Sequence, residues 1–156
     1  MKANIGITDK NTQAVATELS KILADEYILY TKTKNAHWNV EGPDFMEKHK
    51  FFETQFGQLD EFIDQVAERI RFIGHYTPST LNSFISLTHL TEKASEKNDS
   101  NGFIKELLGD HESIIKEIRE NIKRFTDEFH DHGSADFITG LMEEHEKMAW
   151  FLRAHV

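Results

Sequence analysis

Cysteine is absent from the 156 residues, proline occurs twice, and no long apolar run interrupts a chain whose formal net charge is -9. Each shortage excludes a class of chemistry. Without cysteine there are no disulfides, no thiol nucleophile and no sulfur-ligated metal, so histidine, aspartate and glutamate are the strong metal ligands left. Without an apolar stretch of about 18 residues a membrane-spanning helix is not expected. The first residues, MKANIGITDK, lack the apolar segment of a secretion signal, which makes a cytoplasmic location the expectation. The negative net charge repels nucleic acid in bulk and suits cations. A chain of this length is expected to form one domain, 1–156, that buries about two thirds of the surface its unfolded form exposes.

What is present is helical periodicity. Val15, Leu19, Ile22, Leu23, Tyr27 and Tyr30 recur at spacings of three and four, while Glu18, Asp25 and Glu26 fall off that stripe and are expected on a solvated face. The pattern predicts a first helix over 12–38. Asn39 to Gly42 break it, and Pro43 stands where a first helical residue tolerates a missing N–H, so a second helix is predicted to run to about Gly74, a left-handed terminator. Between 75 and 98 the periodicity lapses around Pro78 and a short apolar cluster of Leu81, Phe84, Ile85, Leu87 and Leu90. A connection this long is uncommon unless it packs against something. Behind Asp99 and Ser100 as caps, Ile104 through Phe129 form the third long helix, and after Gly133 and Ser134 the fourth carries Phe137 through Leu152. The result is an all-α chain: a ferritin-like four-helix bundle with one long crossover, carrying a short extra helix, between the second and third long helices.

Within the second helix, "EKHKFFETQFGQLDEFIDQVAERI" carries His49 with Glu53 and, eleven residues further on, Asp64 with Glu68. At 100° per residue the four fall at about 0°, 40°, 60° and 100°, on one stripe. Yet Glu53 and Asp64 are about 16 Å apart along the axis, too far for one ion or for two ions about 4 Å apart. The pairs are mirrored about a point between 58 and 59. A second copy of this helix crossing antiparallel on a two-fold axis there sets His49 opposite Glu68 and Glu53 opposite Asp64, giving two identical sites. Gly57, beside that point, has no side chain to hold the helices apart. An i, i+4 pair of this kind is also compatible with a plain solvated face. Phe51, Phe52, Phe56, Leu59, Phe62, Ile63 and Val66 are expected to be core or interface.

The run "NAHWNVEGPDFMEKHKFFETQF", followed by "LDEFIDQVAERI", resembles the Dps family of mini-ferritins, and the resemblance extends to the closing "WFLRAHV". It implies a ferroxidase centre shared by two subunits, with His37 and His49 from one chain and Glu53, Asp64 and Glu68 divided between that chain and its mate; the mirrored positions put Glu53 with the histidines and take Asp64 and Glu68 from the mate. Glu53 stands where many relatives have Asp, one methylene shorter. The resemblance further implies iron as the metal, hydrogen peroxide as preferred oxidant over dioxygen, a shell of twelve subunits built from two-fold dimers, storage of Fe(III) mineral, and protection against oxidative damage. Nitrogen and oxygen donors with this much negative charge suit both Fe(II) and Fe(III). Trp38, beside a ligand, is read as a structural aromatic and not as a radical sink.

His111 and His145 lie on or beside apolar stripes and are expected to be satisfied core or interface groups; His75, His89, His130, His132 and His155 sit near ends or loops. Asp127, Glu128, Asp131 and Asp136 straddle the last helix junction, where the family's shells carry acidic threefold pores; Asp131 and Asp136 are the candidates for that lining. Relatives that bind DNA do so through basic tails, and this sequence offers Lys2 and Lys10 before the first helix and no basic extension at Val156, so DNA binding is expected to be weak or absent. Two competing readings are a metal-free structural bundle and an intra-chain di-iron carboxylate oxidase. The latter needs Glu-x-x-His on two helices, and no glutamate stands three before a histidine.

Overall fold

The computed structural model describes residues 3–93 and 98–156; Lys2 and part of the expected crossover lie outside them. Five helices follow in order: α1 (Asp9–Asn39), α2 (Phe45–Phe72), α3 (Leu81–Leu87), α4 (Ser100–Asp127) and α5 (His132–Arg153). Among the described residues no strand occurs, only an isolated parallel bridge between Glu41 and Asp99. α1 pairs with α2 and α4 with α5, the two hairpins meet chiefly where α1 packs on α4, and α3 lies on α1. This is the ferritin-like four-helix bundle, with a short helix in its one long crossover.

The boundaries follow from capping chemistry. Side-chain oxygens of Thr8, Thr80, Asp99 and Asp131 accept the backbone N–H three residues on and so satisfy donors that no helical carbonyl reaches. α2 ends where Gly74 turns left-handed at φ +95°, and a Cβ there would stand 2.9 Å from that of Ala3. Asp131 has more than one duty. Its carboxylate accepts from Ser134 N at 2.8 Å and Ser134 Oγ at 2.6 Å, and lies 3.5 Å from Arg69 Nη2. At 2% exposure it faces protein. The expected pore role therefore has a competitor in Asp131: its oxygens hold the start of α5 against α2.

The core contains Val15, Leu19, Leu23, Phe52, Leu59, Val66, Ile114, Ile118, Ile138 and Leu152, all close to fully enclosed. Phe52, Leu59, Phe62, Ile63 and Val66 are buried, with Phe51 and Phe56 half-buried. Polar groups join them where periodicity predicted solvent. Glu18, Asp25 and Glu26 are buried, Glu26 completely, and so is Lys32. The reason is that α1 is enclosed by α2, α3 and α4 together, so it has little solvated face to offer. Each of these charges has a partner: Glu18 has Lys21 and Arg124, Asp25 has Thr88 and His89, Glu26 has His145, and Lys32 has Asp110 and Glu106. In the crossover, Phe84 is buried and stacks on Tyr27 with ring centroids 4.0 Å apart, while Leu81 and Ile85 stay 74% and 52% exposed. Only one side of α3 is covered by its own bundle.

Candidate metal centre

His37 stands in the last turn of α1 and His49 in the second turn of α2, so their approach depends on the turn between the helices. That turn is fastened to the start of α4. Glu41 N donates to Asn98 O at 2.9 Å, and Ser100 Oγ donates to Asp44 Oδ2 at 2.7 Å, the bond that does most to hold the Asp44 carboxyl below its ordinary range. Gly42, at φ +132°, supplies a backbone geometry few other residues adopt.

With the turn fixed, the two imidazoles stack, centroids 3.8 Å apart and planes 21° from parallel. His37 Nδ1 lies 2.8 Å from the carbonyl oxygen of His49, and His49 Nδ1 lies 2.8 Å from that of His37. A carbonyl oxygen can only accept, so both Nδ1 atoms carry the hydrogen. Each neutral ring therefore keeps its lone pair on Nε2, the tautomer a metal ligand needs, held by a bond to a backbone carbonyl that also fixes the ring's direction. Phe45, 5.2 Å from His49, and Phe56, 5.1 Å from His37, flank the pair with apolar surface.

Glu53 is one turn beyond His49 on α2. Its carboxylate accepts from Lys50 Nζ at 2.7 Å, a bond that holds it ionised below the usual carboxylate range, with lesser help from His37 and His49. Both members of that pair are well exposed, so a cation has little to overcome in displacing the ammonium. Asp64 and Glu68 are exposed on the same helix. Asp64 lines an open cleft of about 460 Å³, beside Asp60 and Glu61 and over Tyr27 and Phe84. The chain thus brings His37, His49 and Glu53 to one end of α2 and leaves Asp64 and Glu68 along it. Among the described residues no three histidine or carboxylate side chains converge on a metal-sized point, which gives the intra-chain di-iron oxidase no geometry there.

Trp38, expected as a structural aromatic, is 67% exposed and packs into no core of its own chain. It stands in the last turn of α1, with Lys34 Nζ 5.6 Å over its ring. His111 and His145 are core groups, as expected, and they are joined to Glu26, whose part no periodicity argument revealed. Asp127, Glu128 and Asp136 are exposed.

The ferritin-like domain matches residues 16–156 of this chain. Over 155 residues the chain is 43% identical to an uncharacterized low temperature-induced protein of Nostoc, spanning 99% of this chain and 87% of that one. It is 32% identical over 136 residues to DNA protection during starvation protein 2 of Bacillus anthracis, spanning 87% and 92% of the two. Among solved structures, the Dps protein of Vibrio cholerae, described as a member of a broad superfamily of ferritin-like diiron-carboxylate proteins, superposes with a TM-score of 0.91 at 25% identity, covering 99% of this chain and 96% of that one. By the matched domain, the identity to named relatives and the superposed bundle, this chain belongs to the Dps family of ferritin-like proteins.

Proposed function

We propose that the protein is a shell-forming mini-ferritin that oxidises Fe(II) at centres shared between two-fold-related subunits and stores the Fe(III) product as mineral. The observation that carries this reading is the reciprocal His37 and His49 arrangement, which leaves an Nε2 lone pair on each of two stacked rings, with Glu53 one turn beyond His49. Two nitrogens and one carboxylate are half a site. The other half is Asp64 and Glu68 of the partner subunit, brought across by an antiparallel α2 crossing near 58 or 59. Gly57 fits such a crossing. It is an exposed mid-helix glycine around which a Cβ would meet nothing in its own chain, so no contact within the bundle accounts for it.

In this reading iron is substrate. His37 and His49 bind through Nε2, Glu53 exchanges Lys50 for the incoming cation, and the partner's carboxylates close the site and balance the charge that rises as Fe(II) becomes Fe(III). Two ferrous ions give one electron each to a peroxide, and two protons complete the step to two waters, so hydroxyl radical is not released; this is the protective chemistry we assign, with peroxide ahead of dioxygen. Asp136, with Asp127 and Glu128, is the exposed acidic group available to line a cation path between chains. The net charge of -9 argues for weak or absent DNA binding. No helix among the described residues is long and apolar enough to cross a membrane, which is compatible with the proposed cytoplasmic site of action.

Anaerobic addition of Fe(II) to the purified protein, followed by peroxide, tests the proposal. Rapid growth of ferric absorbance, with about one peroxide consumed per two irons and little trapped hydroxyl radical, is expected. No saturable Fe(II) binding would instead favour the metal-free bundle.

A further inference from the structure

The open cleft of about 460 Å³ that Asp64 lines combines two kinds of surface. Phe84 stacked on Tyr27 makes it apolar, while Asp60, Glu61 and Asp64, all exposed, make it acidic. The last turns of α1 carry the complement. Trp38 is 67% exposed, and Lys34 Nζ lies 4.3 Å from the centre of the Phe56 ring, 5.5 Å from that of Tyr30 and 5.6 Å from that of Trp38. Three aromatic rings thus surround one positive charge. Among the described residues, neither Lys34 nor any of the three cleft acids has an ion-pair partner. The two surfaces do not meet within one chain, because Trp38 is eleven residues from Tyr27, about 16 Å along α1.

The register of the helices says where each would lie in a pair of chains. Tyr30 meets Phe56 edge-on at 6.1 Å, and His37 stacks on His49, seven residues later on α1 and seven earlier on α2. The two helices therefore run antiparallel in even register, with Lys34 level with Phe52 and Trp38 level with Lys48. An α2 crossing mirrored between 58 and 59 sets these levels opposite positions 65 and 69 of the partner subunit. Positions 60 to 67 are the stretch of α2 that lines the cleft, and Thr77, which also lines it, donates to the carbonyl oxygen of Ala67 at 2.8 Å. Side chains on a helix lean toward its N-terminus, which is why the Lys34 ammonium reaches back over Phe56. Phe56 mirrors to position 61. Of the acids near that level, Asp60 is about 40° from Phe56 around α2, on the side nearer α1, and Glu61 is about 140° from it.

We propose that this cleft is the seat for the end of α1 of a second copy, with Trp38 entering beside the crossover and the Lys34 ammonium pairing with Asp60 of the partner subunit. The inference rests on the two-fold reading of α2 and adds to it an occupant for the cleft. Being two-fold, the contact is made twice in each dimer. An exposed tryptophan that fills a pocket on a partner is the kind of residue that carries binding energy, and a lysine that meets an unpaired acid fixes the register in which it docks. Asp60 is not among the proposed iron ligands, so the docking can be altered without removing one.

The test follows the fluorescence of Trp38 itself. Trp38 and Trp150 are the two tryptophans, so Trp150→Phe leaves one reporter. In this full-length protein, assembled and held metal-free with chelator, Trp38 should emit to the blue of indole in water and resist acrylamide quenching, and dilution to single chains should shift it red. Lys34→Glu in the same background should open Trp38 to quencher and raise the concentration of half-dissociation, read by sedimentation, about tenfold or more. Adding Asp60→Lys should recover most of both losses. Three results would overturn the proposal: Trp38 as open to acrylamide in the assembly as in single chains, a Lys34→Glu protein that associates like its parent, or a defect that Asp60→Lys does not relieve. If Trp150→Phe does not fold, sedimentation of the charge-exchanged pair in the wild-type background decides; if Lys34→Glu does not fold, the quenching of Trp38 decides. The shared iron site is tested apart from this, by complementation between His49→Ala and Glu68→Ala. Recovery there with Trp38 still open would remove the docking alone.

Discussion

His37 and His49 each take their orienting hydrogen bond from the other's backbone carbonyl, not from the other's side chain. Truncating one imidazole therefore leaves its partner's tautomer and direction intact. We expect His37→Ala and His49→Ala each to lower fast iron oxidation by about tenfold or more while far-UV circular dichroism stays unchanged. A variant that lost its helical signal as well would mean that the rings hold the turn and do not merely use it. Lys50 is a milder case. Its bond to Glu53 is exposed at both ends, so Lys50→Ala should change Fe(II) affinity by no more than a few-fold, upward, in an anaerobic titration. Of these residues, the quoted motif made all five proposed ligands legible. What it left hidden was the role of Asp131, because a helix-capping aspartate bound to Ser134 and Arg69 and an aspartate lining a channel look the same in a string of letters.

At the scale of helices, spacing and punctuation carried most of the information. Asp99 and Gly74 mark the start of α4 and the end of α2 where chemistry says they should. Asp99→Ala is expected to cost about 1 kcal/mol in a denaturant titration, whereas Asp131→Ala should cost more, about 2 kcal/mol, because it also strands a buried Ser134 and frees Arg69. The failure of pattern reading was α1. Glu18, Asp25, Glu26 and Lys32 sit at the spacing of a polar face, but that face is covered by neighbouring helices. Whether a charged stripe meets water or a counter-charge is decided by residues far along the chain, as with Glu26 and His145 at a separation of 119, and helical periodicity holds no record of such pairings. Gly57→Ala tests what this scale leaves open. Within one chain the added methyl meets nothing and should raise helix stability by about 1 kcal/mol. If α2 crosses its partner there, the same methyl should weaken the dimer, visible in sedimentation at low protein concentration.

The whole molecule presents several large apolar side chains to solvent: Trp38, Met46, Phe72, Tyr76, Leu81, Ile85 and Trp150 are each more than half exposed. Together with a candidate metal centre that has three ligands at one end of α2 and two further along it, they fit a chain whose surface is completed by copies of itself. In the proposed assembly each iron site is built from two chains, because a metal at His49 and Glu53 needs acids that its own helix holds about 16 Å away. The most direct test mixes two defective proteins. His49→Ala and Glu68→Ala, each checked for assembly, should separately lose most fast oxidation, since every site then lacks a ligand. After the two are dissociated and reassembled together, half of randomly paired dimers are mixed. A mixed dimer has one site missing both ligands and one site intact, so activity should return to roughly a quarter of wild type. No recovery from a properly assembled mixture would contradict the account, because a site contained in one chain leaves every chain defective.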